Sequence, residues 1–295
     1  MNFTEKKCIT DDDIQIYYRE YGVLDPQKPT ILCLPGLTRN AKAFHEYALY
    51  CQNKFQAHLI CPDMRGRGQS DYDKNVFNYN LMRETQDIFQ VITQEELNNV
   101  IIFGTSRGGM QSAMLAPILQ NRLKAVILND IGIAISMSVM NKLKKLFIHK
   151  TDYIGDYQAT LERFHLLDGG ETQNLTAEQE HQIVNSIYRL KEGNYYIDYD
   201  YQGLKIAYDK AYADLEAINP EVCDLKPLFS TLINVPILLL HGENSKLLTS
   251  KIVDDTKTLL PHIEVQTIAD RGHCPYLNEA TLIEACDAFL TPFIA

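Results

Sequence analysis

The pentapeptide Gly104-Thr105-Ser106-Arg107-Gly108 carries the clearest chemical signal in this chain. It follows the apolar run 99–103 and precedes a helical pattern rich in alanine, methionine and leucine over 109–119. A G-x-S-x-G pattern between a strand and a helix places its serine on a sharp turn with the hydroxyl exposed. The helix N-terminus behind Ser106 also favours negative charge on a nearby oxygen. These features predict that Ser106 is a nucleophile, and the alternative is a tight glycine turn without chemistry.

A serine hydroxyl is a weak nucleophile and needs a base within hydrogen-bond reach. His273 is the candidate base because it lies between the last strand-like run and the C-terminal helical pattern. Gly272 and Pro275 mark its surroundings as a loop. Seven other histidines compete; His58 and His241 lie in or beside predicted strands, and His149, His165 and His181 lie in the central helical region.

An oxyanion formed on the attacked group needs preorganised N–H donors. We expect one donor to be the backbone N–H of Arg107, directly after the nucleophile. The other is expected to be the backbone N–H of Leu37, in the turn 34–40 after the first parallel strand. Gly36 would let this backbone approach the substrate closely. A plain Pro35-Gly36 turn would look the same, so this assignment depends on Ser106.

Short apolar runs alternate with helical patterns, which predicts βαβ units and a mostly parallel sheet. An opening hairpin is predicted from 7–9 and 14–20, turning at the acidic triplet 11–13. Further strands are predicted at 30–34, 58–61, 100–103, 125–128, 237–240 and 265–268. Helices are predicted at 44–52, 81–96, 109–119, 250–260 and 279–290.

The alternation breaks over residues 131–225, where no clear buried strand is visible. Helical patterns there cover 136–149, 157–166, 177–190 and 206–215. We interpret 131–225 as a helical cap over the C-terminal edge of the sheet, where open α/β sheets bind ligands. The predicted core then comprises 1–130 and 226–295. The alternative is a helical insertion that only stabilises the domain.

Bulk composition limits the classes of protein. Hydrophobic residues make up 45% and charged residues 22% of the 295 positions, which is typical of a globular protein. A net charge of −10 without a basic stripe argues against nucleic-acid binding. No run approaches the roughly 18 apolar residues of a membrane helix, and the N-terminus lacks the apolar stretch of a signal peptide. A cytoplasmic location is therefore expected, and seven cysteines without a C-x-x-C pair agree with reduced thiols.

Four segments together resemble those of capped serine hydrolases with the α/β-hydrolase fold. They are 34–40, the D-x-R-G-x-G-x-S turn 63–70, the elbow 104–109 and the loop 272–279. The resemblance covers the chain outside 131–225. It implies an α/β-hydrolase fold, with a mostly parallel sheet, helices on both faces and a helical cap insertion. It also implies hydrolysis through an acyl-serine, without a metal or organic cofactor.

The acid that would complete the Ser106–His273 pair departs from this family pattern. The resemblance places it shortly after the run 237–240, but Lys246 stands where an aspartate is expected. Glu243 is one alternative. Asp130, at the end of the strand after the nucleophile helix, lies where some family members place the acid. We favour Asp130 because its short side chain loses less rotamer freedom than that of Glu243 on a loop. The other interpretation of Asp130 is a helix-capping or hinge residue.

The sequence thus predicts a cytoplasmic, cofactor-independent hydrolase of small carboxylic esters or related acyl compounds. Ser106 attacks, His273 transfers the proton, and the amides of Leu37 and Arg107 bind the oxyanion. One alternative is a hydrolase of carbon–carbon bonds in diketones, which would use the same residues. Another is a non-catalytic receptor for a small ligand, suggested by Lys246. The predicted partner is a small-molecule substrate, with no nucleic acid and no membrane, and a homodimer is left open.

Overall fold

The computed structural model describes residues 2–149, 151–219 and 221–294; positions 1, 150, 220 and 295 of the predicted core and cap lie outside these ranges. Its β-strands are β1 (Thr4–Ile9), β2 (Gln15–Tyr21), β3 (Thr30–Leu34), β4 (Leu59–Pro62), β5 (Val100–Thr105), β6 (Leu123–Asn129), β7 (Ala134–Ser136), β8 (Tyr153–Gly155), β9 (Arg189–Lys191), β10 (Asn194–Tyr196), β11 (Val222–Asp224), β12 (Ile237–Gly242) and β13 (Ile263–Ile268). Its α-helices are α1 (His45–Phe55), α2 (Leu81–Gln94), α3 (Arg107–Leu119), α4 (Met137–Leu143), α5 (Tyr157–Asp168), α6 (Ala177–Ile187), α7 (Tyr201–Ile218), α8 (Lys226–Phe229), α9 (Ser250–Leu259) and α10 (Ala280–Ile294).

One large sheet organises these elements, with the strand order β1-β2-β4-β3-β5-β6-β12-β13. The pairs β1–β2 and β2–β4 are antiparallel, and every pair from β4 to β13 is parallel. The predicted opening hairpin and mostly parallel sheet are therefore confirmed. The carboxyl ends of the parallel strands share one edge of the sheet, and the loops that follow them meet there.

Both faces of the sheet are covered by helices. Successive residues of the central strands alternate between two hydrophobic clusters: Ile31 and Cys33 pack on one side, while Leu32 and Leu34 pack on the other. Helices α1 and α10 contribute to the first cluster, and α2, α3 and α9 contribute to the second. The strands read as continuous apolar runs because both of their faces are buried.

The segment 131–225 contains short strands that the sequence did not predict. Strands β8, β10 and β9 form a small antiparallel sheet, and β7 pairs with β11. Each has three residues, which is too short to show a period-two pattern. Two helical patterns were predicted too long: α4 ends at Leu143, where a 3-10 helix over Lys144–Phe147 follows, and α6 ends at Ile187 before β9. The β7–β11 pair joins the beginning of the segment to its end.

The tyrosine-rich stretch 195–201 lies mostly within the interior of this segment. Tyr195 packs in a cluster with Phe164, and Tyr199 and Tyr201 pack in a second cluster around Phe147. Among the described residues, no helix combines the length and apolarity needed to cross a membrane.

Candidate active site

Ser106 lies on the turn between β5 and α3 with φ 51° and ψ −112°, a conformation that non-glycine residues rarely adopt. Two glycines permit this turn. A Cβ on Gly104 would lie 2.5 Å from the carbonyl oxygen of Gly108, and a Cβ on Gly108 would lie 2.1 Å from that of Leu34. Either approach is far inside van der Waals contact. The strand, turn and helix predicted around Ser106 are the local structure found there.

The structure brings Ser106, His273 and Asp130 into one hydrogen-bonded chain. His273 Nε2 lies 2.9 Å from Ser106 Oγ, and His273 Nδ1 lies 2.7 Å from Asp130 Oδ2. A neutral imidazole that donates from Nδ1 to the carboxylate accepts at Nε2. The serine hydroxyl can then donate its proton to His273, which is the arrangement that activates a serine nucleophile.

Asp130 is fully buried and follows the last residue of β6 with φ 56°. Besides its contact with His273, its carboxylate accepts hydrogen bonds from the Gly242 N–H at 2.9 Å and the Ser245 hydroxyl at 2.5 Å. These donors satisfy a charged group that would otherwise be costly to bury. Asp130 therefore has a defined orientation toward His273.

The alternative acid, Glu243, is not brought to His273. Its side chain is exposed, and Oε2 accepts from the backbone N–H of Asp270 at 3.2 Å. Lys246 is also exposed, with Nζ 3.4 Å from a carboxylate oxygen of Glu171. Ser245, beside the position where the resemblance implied an aspartate, instead supports the carboxylate of Asp130.

Of the two residues predicted to supply oxyanion donors, Arg107 directly follows the nucleophile, and Leu37 belongs to the loop after β3. Arg107 is the first residue of α3, where a backbone N–H has no partner within the helix. Leu37 lines the cavity that contains Ser106. The preceding residue, Gly36, lies so close that a Cβ there would be 3.7 Å from Ser106 Cβ.

Sequence reasoning missed Glu84, which connects these two donor residues. Its fully buried carboxylate lies 2.7 Å from Arg67 Nη1 and 2.6 Å from Arg107 Nε. Arg67 Nε in turn donates to the carbonyl oxygen of Leu37 at 3.0 Å. Burial alone would raise the pKa of Glu84, but the adjacent guanidinium groups hold it below its ordinary value. The available signal was an acidic residue on the apolar face of a helix, four residues before Ile88.

A cavity of about 400 Å³ opens onto Ser106 and His273. Much of its apolar wall comes from the segment 131–225, through Val139, Leu143, Leu146, Phe164, Leu166, Leu167 and Ile187. Tyr201, from the tyrosine-rich stretch 195–201, is not one of its lining residues, and its ring packs against that of His149. Within the described ranges, no group of three or more histidine, cysteine, aspartate or glutamate side chains is arranged to hold a metal ion.

Comparisons with known proteins agree with this architecture. A family model described as alpha/beta hydrolase fold matches residues 29–280. A 3-hydroxybutyrate-oligomer hydrolase from Cupriavidus necator is 26% identical, covering 97% of this chain and 96% of its own. A 2-(acetamidomethylene)succinate hydrolase from Mesorhizobium japonicum is 24% identical, covering 86% of this chain and 84% of its own. An α/β hydrolase structure from Novosphingobium aromaticivorans has a TM-score of 0.85 at 27% identity, covering 98% of each chain.

The chain therefore belongs to the α/β-hydrolase-fold family, and the predicted fold class is confirmed. The family and the named relatives support a hydrolase activity without specifying its substrate.

Replacing Glu84 tests whether its ion pairs support the elbow and the loop 34–40. Glu84→Gln leaves Arg67 and Arg107 without their buried counter-charge, which costs about 3–5 kcal/mol in comparable buried pairs. We expect a large drop in the urea midpoint of unfolding. As a matched control, Asp255→Asn removes an exposed i,i+4 ion pair with Lys251 and should leave the midpoint nearly unchanged. Equal, small effects of both substitutions would contradict the structural role assigned to Glu84.

Proposed function

We propose that the protein is a cofactor-independent serine hydrolase of small carboxylic esters or related acyl compounds. The observation that carries this proposal is the continuous chain of hydrogen bonds from Ser106 through His273 to buried Asp130. Its nucleophilic end opens onto a cavity large enough for a small ligand. A nucleophile, a base and a group that orients the base are the minimum needed for acyl transfer through serine.

The reaction follows from these positions. His273 Nε2 accepts the proton of Ser106 as Oγ attacks the substrate carbonyl, and Asp130 stabilises the imidazolium that forms. The developing oxyanion is bound by the backbone N–H groups of Leu37 and Arg107. His273 then donates its proton to the leaving oxygen, which yields an acyl-serine. Water, activated by the same imidazole, releases the acid and restores Ser106.

The relatives add support for acyl chemistry on acidic substrates, because their names specify an oligomer of 3-hydroxybutyrate and a substituted succinate. The hypothesis of a non-catalytic receptor depends on Lys246 standing where the acid is expected. The contact between Asp130 and His273 provides an acid at the end of β6 instead, and it supports catalysis. Cleavage of a carbon–carbon bond in a diketone would use the same residues and remains the alternative. Turnover of a simple ester distinguishes the two.

We also propose that 131–225 acts as a cap on a core formed by 1–130 and 226–295. The pairing of Val222 with Ser136 closes the segment at its base, as expected for a unit inserted between β6 and β12. Its apolar side chains line the cavity beside the loop that carries His273. A cap of this kind would determine which acyl groups fit.

The assignment of the acid is tested by paired substitutions. Asp130→Asn should reduce kcat for p-nitrophenyl butyrate near neutral pH by about 10⁴-fold, because the imidazole loses the partner that sets its tautomer. Glu243→Gln should retain nearly the wild-type rate. Ser106→Ala should abolish both turnover and labelling by a fluorophosphonate probe. A large loss of kcat in Glu243→Gln together with a nearly wild-type kcat in Asp130→Asn would show that the acid is misassigned. Fluorophosphonate labelling of a residue other than Ser106 would overturn the proposed nucleophile.

The cap is tested by two substitutions on α5. Phe164 lines the cavity, whereas Leu161 packs in the same hydrophobic cluster without lining it. Phe164→Ala should shift the preferred length of p-nitrophenyl esters toward longer acyl chains, because it enlarges the apolar wall. Leu161→Ala should lower the unfolding temperature without changing the order of preference. The same preference profile in wild-type protein and both variants would mean that this part of the segment is only structural.

A further inference from the structure

Arg39 differs from the other arginines because its side chain has no partner in the part of the chain that the structure describes. Within the described residues, its guanidinium group forms no hydrogen bond, ion pair or ring contact, while the other arginines contact a carboxylate, a carbonyl oxygen, an imidazole or an aromatic ring. Yet Arg39 is half-buried in the wall of the cavity that contains Ser106. A partly desolvated cation without a counter-charge is unfavourable, so this position calls for an anion from outside the chain.

Arg39 lies close to the two groups between which the leaving group of the substrate would be released, Ser106 and His273. A Cβ built on Gly36 would lie 3.7 Å from Ser106 Cβ and 3.9 Å from Arg39 Cγ, so both side chains flank the same glycine. Burial raises the pKa of Cys274 to about 12, and the positive charge of Arg39 opposes that shift. The same charge also opposes the rise that burial causes in the pKa of Tyr276, another residue of the cavity wall. Arg39 thus lines the same cavity as Cys274, Tyr276 and His273, and His273 is the group that protonates the leaving oxygen.

In the part of the chain that the structure describes, neither acidic side chain of the cavity wall forms an ion pair with Arg39. Asp168 accepts from the N–H and hydroxyl of Thr172, at 2.9 and 2.7 Å. Glu171 accepts from the N–H of Lys246 at 3.2 Å and lies 3.4 Å from Lys246 Nζ. Both acidic side chains that line the cavity are thus engaged elsewhere.

We propose that Arg39 binds a carboxylate on the leaving group of the substrate. Together with the similarity to a 3-hydroxybutyrate-oligomer hydrolase, this makes the preferred substrates short oligoesters of hydroxy acids with a free carboxyl end. This inference rests on the proposed function. A guanidinium group can hold a carboxylate through two parallel hydrogen bonds, which would fix the position of the adjacent ester bond relative to Ser106.

Each cycle then removes one unit from the carboxyl end of the chain. Ser106 Oγ bonds to the acyl carbon, the bond from that carbon to the ester oxygen breaks, and His273 protonates the departing hydroxy acid. One water molecule then hydrolyses the acyl-serine, which releases the shortened oligomer as an acid. The net reaction consumes one water for each ester bond.

The test is calorimetric binding to Ser106→Ala protein, which does not depend on turnover. The probes are the linear dimer of 3-hydroxybutyrate as the free acid and as its primary amide, which is similar in shape but neutral. We expect the acid to bind roughly 10- to 100-fold more tightly, as for a charge-assisted pair. Adding Arg39→Gln should bring the two affinities together, and Arg39→Lys should keep part of the preference because it retains the charge without the planar fork. Lys142→Gln, which removes an exposed cation of the cavity wall, is the matched control and should leave the preference intact.

Several outcomes would overturn the role of Arg39: no measurable binding of the acid, equal affinity for acid and amide, a preference that survives Arg39→Gln in folded protein, or a preference lost in Lys142→Gln. Retention of fold in each variant is checked by thermal unfolding, and Arg39→Lys provides the comparison if Arg39→Gln does not fold. Failure of the proposed function is visible separately. In that case wild-type protein would not cleave the acid dimer or p-nitrophenyl butyrate, although Ser106→Ala protein still prefers the acid in an Arg39-dependent manner.

Discussion

The arrangement of the site depends on one buried carboxylate, that of Asp130. It accepts hydrogen bonds from His273 after β13, from Gly242 at the end of β12 and from Ser245 in the following turn. Since β6, β12 and β13 are neighbours in the sheet, this single group joins the ends of three adjacent strands. Its orientation determines that of the imidazole, and the imidazole in turn reaches Ser106. Loss of any one donor would leave a buried charge incompletely solvated.

The backbone at these strand ends is strained, and hydrogen bonds to the neighbouring strands hold the strained residues in place. Ser106 and Asp130 each follow the last residue of a strand, and both have positive φ. The N–H of Ser106 donates to the carbonyl oxygen of Asn129 at 2.9 Å, and the N–H of Asp130 donates to that of Leu240 at 2.8 Å. Each unusual residue is thus bonded to the neighbouring strand. Strained backbone conformations persist only where the surrounding structure fixes them. Here the edge of the parallel sheet does so.

Much of this fold could be predicted from the sequence, because its long elements have strong local patterns. Continuous apolar runs such as 30–34 and 100–103 predict buried parallel strands, and the glycines around Ser106 predict the elbow. The preference for Asp130 over Glu243 came from side-chain length and the end of a core strand, and the structure places Asp130, not Glu243, against His273.

Other features could not be predicted because they depend on contacts between residues distant in the chain. Glu84 meets Arg107 only after α2 packs beside α3, and Ser245 reaches Asp130 across more than a hundred residues. Among the described residues Arg39 has no partner, and this follows from the placement of every side chain of the cavity wall rather than from any local pattern. Composition identifies the tyrosine-rich stretch 195–201 without showing which of its side chains line the cavity, and Tyr201 does not. The strands β7 to β11 are too short for any periodicity to be visible.

The most direct measurement of the Asp130–His273 interaction is proton NMR at low field, where a histidine N–H donating to a carboxylate gives a resonance separated from the amide region. With imidazole nitrogens labelled with ¹⁵N, the His273 Nδ1 proton should appear there in wild-type protein and in Glu243→Gln. It should disappear or move toward the amide region in Asp130→Asn, because the amide that replaces the carboxylate carries no charge. A resonance unchanged by Asp130→Asn, or lost in Glu243→Gln, would contradict the assignment of Asp130 as the partner of His273.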